Sequence, residues 1–276
     1  MSKVWLITGT CRGFGRLLAE AVLEAGDRLV AAARRPAWLA PLAERYGDRI
    51  RIAGGDIGDA AQARETVRVA ADGFGRIDVL VNNAGYGDVG SIEDTGIGEF
   101  RAQIEAELFG AITVTKAALP LMRQQRSGHI IQLSSIAARM GLPGRAAFAA
   151  AKWGLEGFSE VLAKEVAPLG IKVTIVEPGS FRTDFGAPPA VAGLARGISE
   201  HTGFQPGDPV KAAAVITYIA GLAEPPFRLL LGSDAVELAR QCDRLRASAD
   251  ETWRDLSLFT DFAPPAGARS ALPRTS

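Results

Sequence analysis

The stretch VWLITGTCRGFG, residues 4–15, opens as an unbroken apolar run, breaks into glycines at 9, 13 and 15, and leads into the amphipathic segment 16–25. The apolar run reads as a strand covered on both faces, and 16–25 as a helix with one apolar stripe. The glycines permit a tight turn, a close approach of backbone to a ligand, and close packing of helix on strand. The first N–H groups of the helix have no partners within it, so the turn around Gly9, Gly13, Phe14 and Gly15 can cradle a pyrophosphate. A glycine triplet is a weak signal by itself, because an ordinary turn also accounts for it.

Working outward, the same alternation recurs. Apolar runs at 28–33, 49–54, 78–83, 129–134, 171–176 and 227–232 are separated by helical periodicity, as at 60–71 and 98–118. Strands that are apolar throughout and alternate with helices imply a parallel sheet with helices on both faces. The expected fold is a Rossmann-type, doubly wound α/β sheet of about seven strands, a single domain over residues 1–262, with its ligand at the carboxyl ends of the strands. After Phe262 the sequence APPAGARSALPRTS (263–276) reads as a disordered tail. The 31 basic and 31 acidic residues cancel, and no like-charge block appears, so neither a nucleic-acid nor an anionic-membrane partner is expected. Two cysteines and two histidines give neither a disulfide framework nor a His-rich metal site, and no metal is expected. With no signal-peptide pattern and no long apolar span, a soluble cytoplasmic protein is the expectation.

TGTCRGFG (8–15), NNAG (82–85), a serine at 135, a lysine at 152 and PG (178–179) follow one another in an order and spacing that resemble the short-chain dehydrogenase/reductase family over roughly residues 3–235. The resemblance implies a nicotinamide dinucleotide. Asn83, Ala84 and Gly85 would line it, with Asn82 bracing the sheet. Asp56 and Ile57 would flank adenine, Pro178, Gly179, Phe181 and Thr183 would hold the carboxamide, and Lys152 the ribose. An acidic residue closing the second strand selects a free ribose hydroxyl, whereas arginine accommodates a 2′-phosphate. Here that strand ends AAARRP, and Arg34 together with Arg12 of the glycine loop favours NADP(H). Two solvated surface arginines are the alternative.

In RAAFAAAKWG (145–154) the family's Tyr-x-x-x-Lys pattern retains Lys152 but carries Phe148 in the tyrosine's place. Ser135 stands thirteen residues before Phe148, which fixes the register, and none of Tyr46, Tyr86 and Tyr218 can slide into it. In EAELFG (105–110), alignment on Leu108, Phe109 and Gly110 puts Glu107 where the family carries asparagine. A solvated glutamate, with the register off by one turn, is the alternative. The catalytic set thus reads Glu107, Ser135, Phe148 and Lys152. In the family the tyrosine donates a proton as hydride reaches a carbonyl carbon, and phenylalanine has no O–H to give. Losing general-acid catalysis costs roughly 10²–10⁴ in rate, or about 3–5 kcal/mol of barrier, which is too much for ordinary ketone reduction. In a pocket walled by Phe148 and Leu142, burial would favour a protonated, proton-donating Glu107 and Lys152 would favour its carboxylate; the sequence leaves both open. Tyr86 reads as a packing or substrate-contact residue, Asp88 as a polar group at the mouth, His129 as structural, and Cys11 as without chemistry.

Three readings follow: an atypical NADPH-dependent oxidoreductase reducing a C=N or activated C=C bond, a non-redox isomerase, dehydratase or cyclase using Glu107 and Ser135, or a catalytically silent NADP-binding protein. A Tyr-to-Phe variant of a ketoreductase is a further possibility. The first leads, because the cofactor site is intact. Residues 184–208 occupy the place of the family's substrate lid, and their Phe185, Pro188, Pro189, Leu194 and Phe204 favour a hydrophobic small molecule. The family associates through two long helices. Segments 98–118 and 146–167 would supply them, with Ala106, Ala117, Ala147, Ala151 and Leu155 in the contact of a homodimer or homotetramer.

Overall fold

The computed structural model describes residues 2–183 and 205–262. Strands β1 (Val4–Thr8), β2 (Arg28–Ala33), β3 (Ile50–Gly54), β4 (Val79–Asn82), β5 (Gly128–Leu133), β6 (Ile171–Pro178) and β7 (Arg228–Leu231) form one seven-stranded sheet, paired in parallel throughout. Their order is β3-β2-β1-β4-β5-β6-β7, so the chain reverses direction across the sheet between β1 and β4. That crevice is where a doubly wound sheet holds its ligand.

Each strand sends alternate side chains to opposite faces. Trp5 and Ile7 join one apolar cluster with Leu18 and Val22 of α1 (Gly13–Glu24), Leu42 of α2 (Ala40–Tyr46) and Ile216 of α7 (Pro209–Ile219). Leu6 between them joins the other, with Val67 of α3 (Ala60–Phe74), Met122 of α5 (Gly110–Gln125) and Leu162 of α6 (Ala146–Val166). Local signals set the helix ends. Asp59 accepts from the N–H groups of Ala61 and Gln62 to start α3, and Gly75, at φ 76°, stops it in the left-handed region. Asp208 caps α7 in the same way, with Pro209 at its first position.

The segment 98–118, expected as one helix, is divided. Helix α4 (Ile97–Ile104) runs into a π turn, Glu105–Phe109, before α5 begins. The Gly110 N–H reaches back five residues to the Glu105 carbonyl, a widened turn of the kind that recurs at functional sites. After β7, α8 (Ser233–Thr252) and the short α9 (Arg254–Leu258) extend the chain, two helices that the apolar periodicity did not reveal. Residues 184–204 of the expected lid, with Phe185, Pro188, Pro189, Leu194 and Phe204, and the segment 263–276 lie outside the described residues. Among the described residues no helix is long and apolar enough to cross a membrane.

His129 begins the inner part of β5, buried and far from the carboxyl ends of the strands. Its Nε2 lies 2.8 Å from Thr174 Oγ1, whose own hydroxyl donates to the Pro226 carbonyl at 2.7 Å, so the imidazole donates through Nε2. Burial, helped by the Lys172 ammonium, lowers its pKa from 6.5 to about 4. The unfolded chain therefore binds a proton between those values that the folded chain refuses, and stability is lost as pH falls from about 6.5 toward about 4. The shift corresponds to about 3 kcal/mol. His129→Gln, which keeps a neutral donor, is expected to flatten this part of the stability profile, measured by urea unfolding between about pH 7 and about pH 4. An unchanged acid slope would show that other groups set it.

Candidate active site

The crevice is built by the loops after β1 and β4, which almost touch. A Cβ at Gly9 would lie 2.8 Å from Ala84 Cα, and one at Gly15 2.4 Å from the Gly9 carbonyl oxygen. Both positions are therefore restricted to glycine by contact, and Gly9 also by its φ of 73°. Asn83 Nδ2 donates to the carbonyls of Thr8 (2.8 Å) and Gly9 (3.2 Å), and Thr8 Oγ1 accepts from the N–H groups of Asn83 and Ala84, both at 3.0 Å. Asn83, expected to line a cofactor, thus holds the glycine loop in place. Asn82 braces the sheet as expected, donating to Thr115 Oγ1 and Gln132 Oε1, both at 2.9 Å. Thr8 is a site-building residue that sequence reasoning missed; its signal was its place between the first strand and Gly9.

At Gly13 a Cβ would come, among the described residues, only into ordinary contact with Thr183 Cβ at 3.8 Å. No side chain caps α1 and no acid lies in its first turn, so its leading N–H groups are left for an anion. These features fit a dinucleotide phosphate. Phe14 and Phe181 pack edge to face, 5.6 Å between centroids, joining the first helix to the loop after β6. Arg12 and Arg34 are both exposed, and neither forms an ion pair among the described residues. Arg35 instead stacks on Trp38 at 5.2 Å, and its carbonyl accepts from Cys11 Sγ, which turns that thiol away from the crevice. Asp56 is exposed and accepts from the Gly58 N–H at 2.9 Å. Ile57 packs toward Gly110, where a Cβ would meet its Cδ1 at 3.2 Å. Pro178 ends β6, and Gly179 lies so close to Asp234 that a Cβ would stand 2.2 Å from Oδ1. Asp234 Oδ2 accepts from the Ser180 N–H at 2.7 Å, so this residue of α8, also missed, pins the loop that carries Phe181 and Thr183.

Three of the four positions expected to be catalytic, Glu107, Lys152 and Phe148, come together near Gly85. Glu107, buried by the π turn, sets its Oε2 3.1 Å from Lys152 Nζ. The angle of that contact makes an ion pair without an aligned hydrogen bond. Glu107 Oε1 accepts from the Tyr86 N–H at 3.2 Å and Gln103 Nε2 at 3.3 Å, and Gln103 also donates to the Tyr86 carbonyl at 2.9 Å. The glutamate is not a solvated one. Lys152 Nζ donates to the Leu133 carbonyl at 2.8 Å, which keeps one further N–H available toward the crevice. Phe148 is buried, with Lys152 Nζ 5.6 Å from its ring centroid. Ser135 caps a short helical turn by accepting from the Ala137 N–H at 3.2 Å. The Tyr86 phenol is held above its ordinary pKa by burial, with Asp88 and Glu107 adding to the rise and Arg34 opposing it.

The sequence matches the family described as short chain dehydrogenase over residues 3–189. The chain belongs to that family. It is 42% identical to oxidoreductase BOA17 of Botryotinia fuckeliana, over 94% of this chain and 99% of that one. The crystal structure of a short-chain dehydrogenase from Streptomyces avermitilis superposes with a TM-score of 0.87 at 40% identity, covering 95% of this chain and 99% of that chain. A Burkholderia cenocepacia short chain dehydrogenase in complex with NADP superposes with a TM-score of 0.74 at 25% identity, over 91% and 97% of the two chains. This short-chain dehydrogenase is accordingly an oxidoreductase, and its family works with nicotinamide cofactors.

Proposed function

We propose that this enzyme binds NADPH and reduces a C=N or activated C=C bond of a hydrophobic small molecule, rather than an ordinary ketone. The observation that carries this reading is the buried Glu107–Lys152 pair beside Phe148: the site keeps charge and has lost its phenolic acid. NADPH, when bound, supplies hydride. The chain's residues would do the rest. Lys152 would hold a ribose hydroxyl with its remaining N–H. Ser135 would orient the reducible bond with one hydrogen bond. Glu107, a carboxylate facing the ammonium, adds negative potential that favours a cationic iminium. An iminium already carries its proton, so hydride arriving at carbon completes the amine. A conjugated alkene takes hydride at its far carbon and then a proton from water at the near one. Neither route needs the tyrosine.

The cofactor's identity is supported by Arg34 and Arg12, exposed and, among the described residues, uncommitted to carboxylates, and by the contact of Arg35 with Trp38. Asp56, Ile57, Asn83, Ala84, Gly85, Pro178, Gly179, Phe181 and Thr183 would complete the cradle.

Association of two or four copies is supported by part of the set first expected, Ala106 and Ala117, which stay partly exposed, and by further residues of α6. Ala147, Ala151 and Leu155 are buried inside the subunit and are not available for contact. The outward stripe of α6 is Ala150, Trp153, Gly157 and Val161, small or apolar at helical spacing, with Phe109 of the π turn also exposed. A homodimer or homotetramer on a two-fold axis follows. Light scattering at micromolar concentration checks it: Val161→Glu is expected to lower the assembly's mass, and a monomeric unaltered protein would refute it.

Arg34→Asp should reverse the preference for NADPH over NADH, because a carboxylate repels the 2′-phosphate and accepts from a free hydroxyl. Titration showing equal affinity for both cofactors in the unaltered protein would overturn the assignment. Phe148→Tyr should raise ketone reduction by about 10²-fold, the lower end of the general-acid range, with little gain on imines or enones. Glu107→Gln should damage the latter reactions. NADPH consumption with panels of imines, enones and ketones decides. A Phe148→Tyr gain equal on all three would mean an ordinary dehydrogenase that has lost its acid.

A further inference from the structure

Arg145 begins α6, three residues before Phe148 and on the opening of the crevice. Its guanidinium carbon lies 6.0 Å from the Phe148 ring centroid, while Lys152 Nζ lies 5.6 Å from that centroid. Two cations thus address the ring that replaces the tyrosine, and they are not equivalent. Lys152 has an anionic partner in Glu107 and donates to the Leu133 carbonyl. Arg145 is half-buried, and its one side-chain hydrogen bond among the described residues is a long one, 3.5 Å from Nη1 to the Asp88 carbonyl. No described carboxylate forms an ion pair with it. The other half-buried arginines near this end of the sheet are treated differently. Arg228 meets Glu156, Glu160 and Glu177, and Arg139 meets Glu177 and Asp243.

A guanidinium drawn out of water without an anion is unfavourable unless a ligand supplies one. Burial accordingly lowers the pKa of Arg145, with Glu107 and Asp88 opposing. Glu107 does not answer this need: its oxygens are committed to Tyr86, Gln103 and Lys152. Asp88 is exposed, and it is its backbone carbonyl that reaches the arginine. The arginine is held in place by its backbone: its N–H donates to the Leu142 carbonyl at 3.0 Å, and Gly90 N–H donates to the adjoining Gly144 carbonyl at 3.1 Å. The buried Phe148 ring supplies apolar surface beside it.

We propose that Arg145 is the specificity-determining residue of this crevice and selects substrates that carry a carboxylate beside an apolar body. This rests on the reading that substrate lies against Phe148. A planar carboxylate matches the guanidinium fork, and the Phe148 ring carries the apolar part. The site then takes a hydrophobic acid rather than a neutral hydrophobe.

The test uses two probes of one shape, cinnamate and cinnamamide, titrated by calorimetry into the protein saturated with NADP⁺, which occupies the phosphate cradle. Cinnamate should bind about tenfold more tightly, the scale of a charge-assisted over a neutral hydrogen bond. Arg145→Gln should bring cinnamate down to the affinity of cinnamamide and leave cinnamamide unchanged, while Arg145→Lys should retain part of the preference. Arg145→Met serves the same purpose if the glutamine variant folds poorly by circular dichroism. Equal affinities in the unaltered protein, no binding of either probe, or a preference that survives loss of Arg145 overturns the proposal. The titration of NADP⁺ itself reports separately on the cofactor reading, and the comparison of acid with amide is repeated without it, so the two failures are distinguishable.

Discussion

The crevice exists because two loops approach to the limit of van der Waals contact. At Gly9 and Ala84 the backbones after β1 and β4 are closer than any side chain allows, and Asn83 ties them with hydrogen bonds to the Thr8 and Gly9 carbonyls. Everything functional is measured from that clamp. It orients the first turn of α1, whose uncapped N–H groups point into the opening. It also fixes where the NNAG backbone ends, and so where Gly85 and Tyr86 meet Glu107. A larger residue at position 9 or 15 would separate the loops and lose the cradle and the catalytic end together.

The second constraint is electrostatic. Glu107 and Lys152 are both buried, and each alone would be an uncompensated charge. Together they neutralise one another, and the Tyr86 N–H, Gln103 and the Leu133 carbonyl absorb their remaining capacity. Such a pair contributes little net stability against an apolar replacement, but it defines position strongly, since either partner moving away leaves the other exposed to the full desolvation penalty. The π turn at Glu105–Phe109 and the N-terminal part of α6 are thereby fastened to one another across the crevice. A Cβ on Gly154 would meet Leu108 Cδ2 at 2.9 Å, so the same two elements are also in close apolar contact.

The fold was legible because strand burial and helix periodicity are local properties of the sequence. The β1 run and its glycines read correctly, as did the seven apolar runs and the parallel sheet. Less legible was anything that depends on how a helix is turned. The break in 98–118 left no mark, since Glu105, Ala106 and Glu107 are ordinary helix formers. Ala147, Ala151 and Leu155 were assigned to an interface from the family resemblance and their small or apolar side chains, whereas their spacing also fits the buried stripe that they form. Asp234 and Arg145 carried no motif. Their roles come from contacts across more than 50 residues of sequence, from Asp88 to Arg145 and from Ser180 to Asp234.

The carboxyl ends of β5 and β6 are tied to α6 by a network of hydrogen bonds and ion pairs. Ser134 donates to Glu156 Oε1 at 2.6 Å, tying the end of β5 to α6 one turn beyond Lys152. Burial raises the Glu156 pKa, and the hydrogen bonds from Ser134 and Arg228 hold the charge in place against that rise. Arg228 extends the connection to Glu177 of β6 at 3.0 Å and to Glu160 at 2.7 Å, and Arg139 joins Glu177 from the turn after Ser135. One network thus spans the ends of β5, β6 and β7 and the middle of α6, and it passes by position 148. Ser134, Glu156 and the strand ends are held by groups other than the Phe148 ring, so the frame around the crevice is built separately from the side chain that stands at that position.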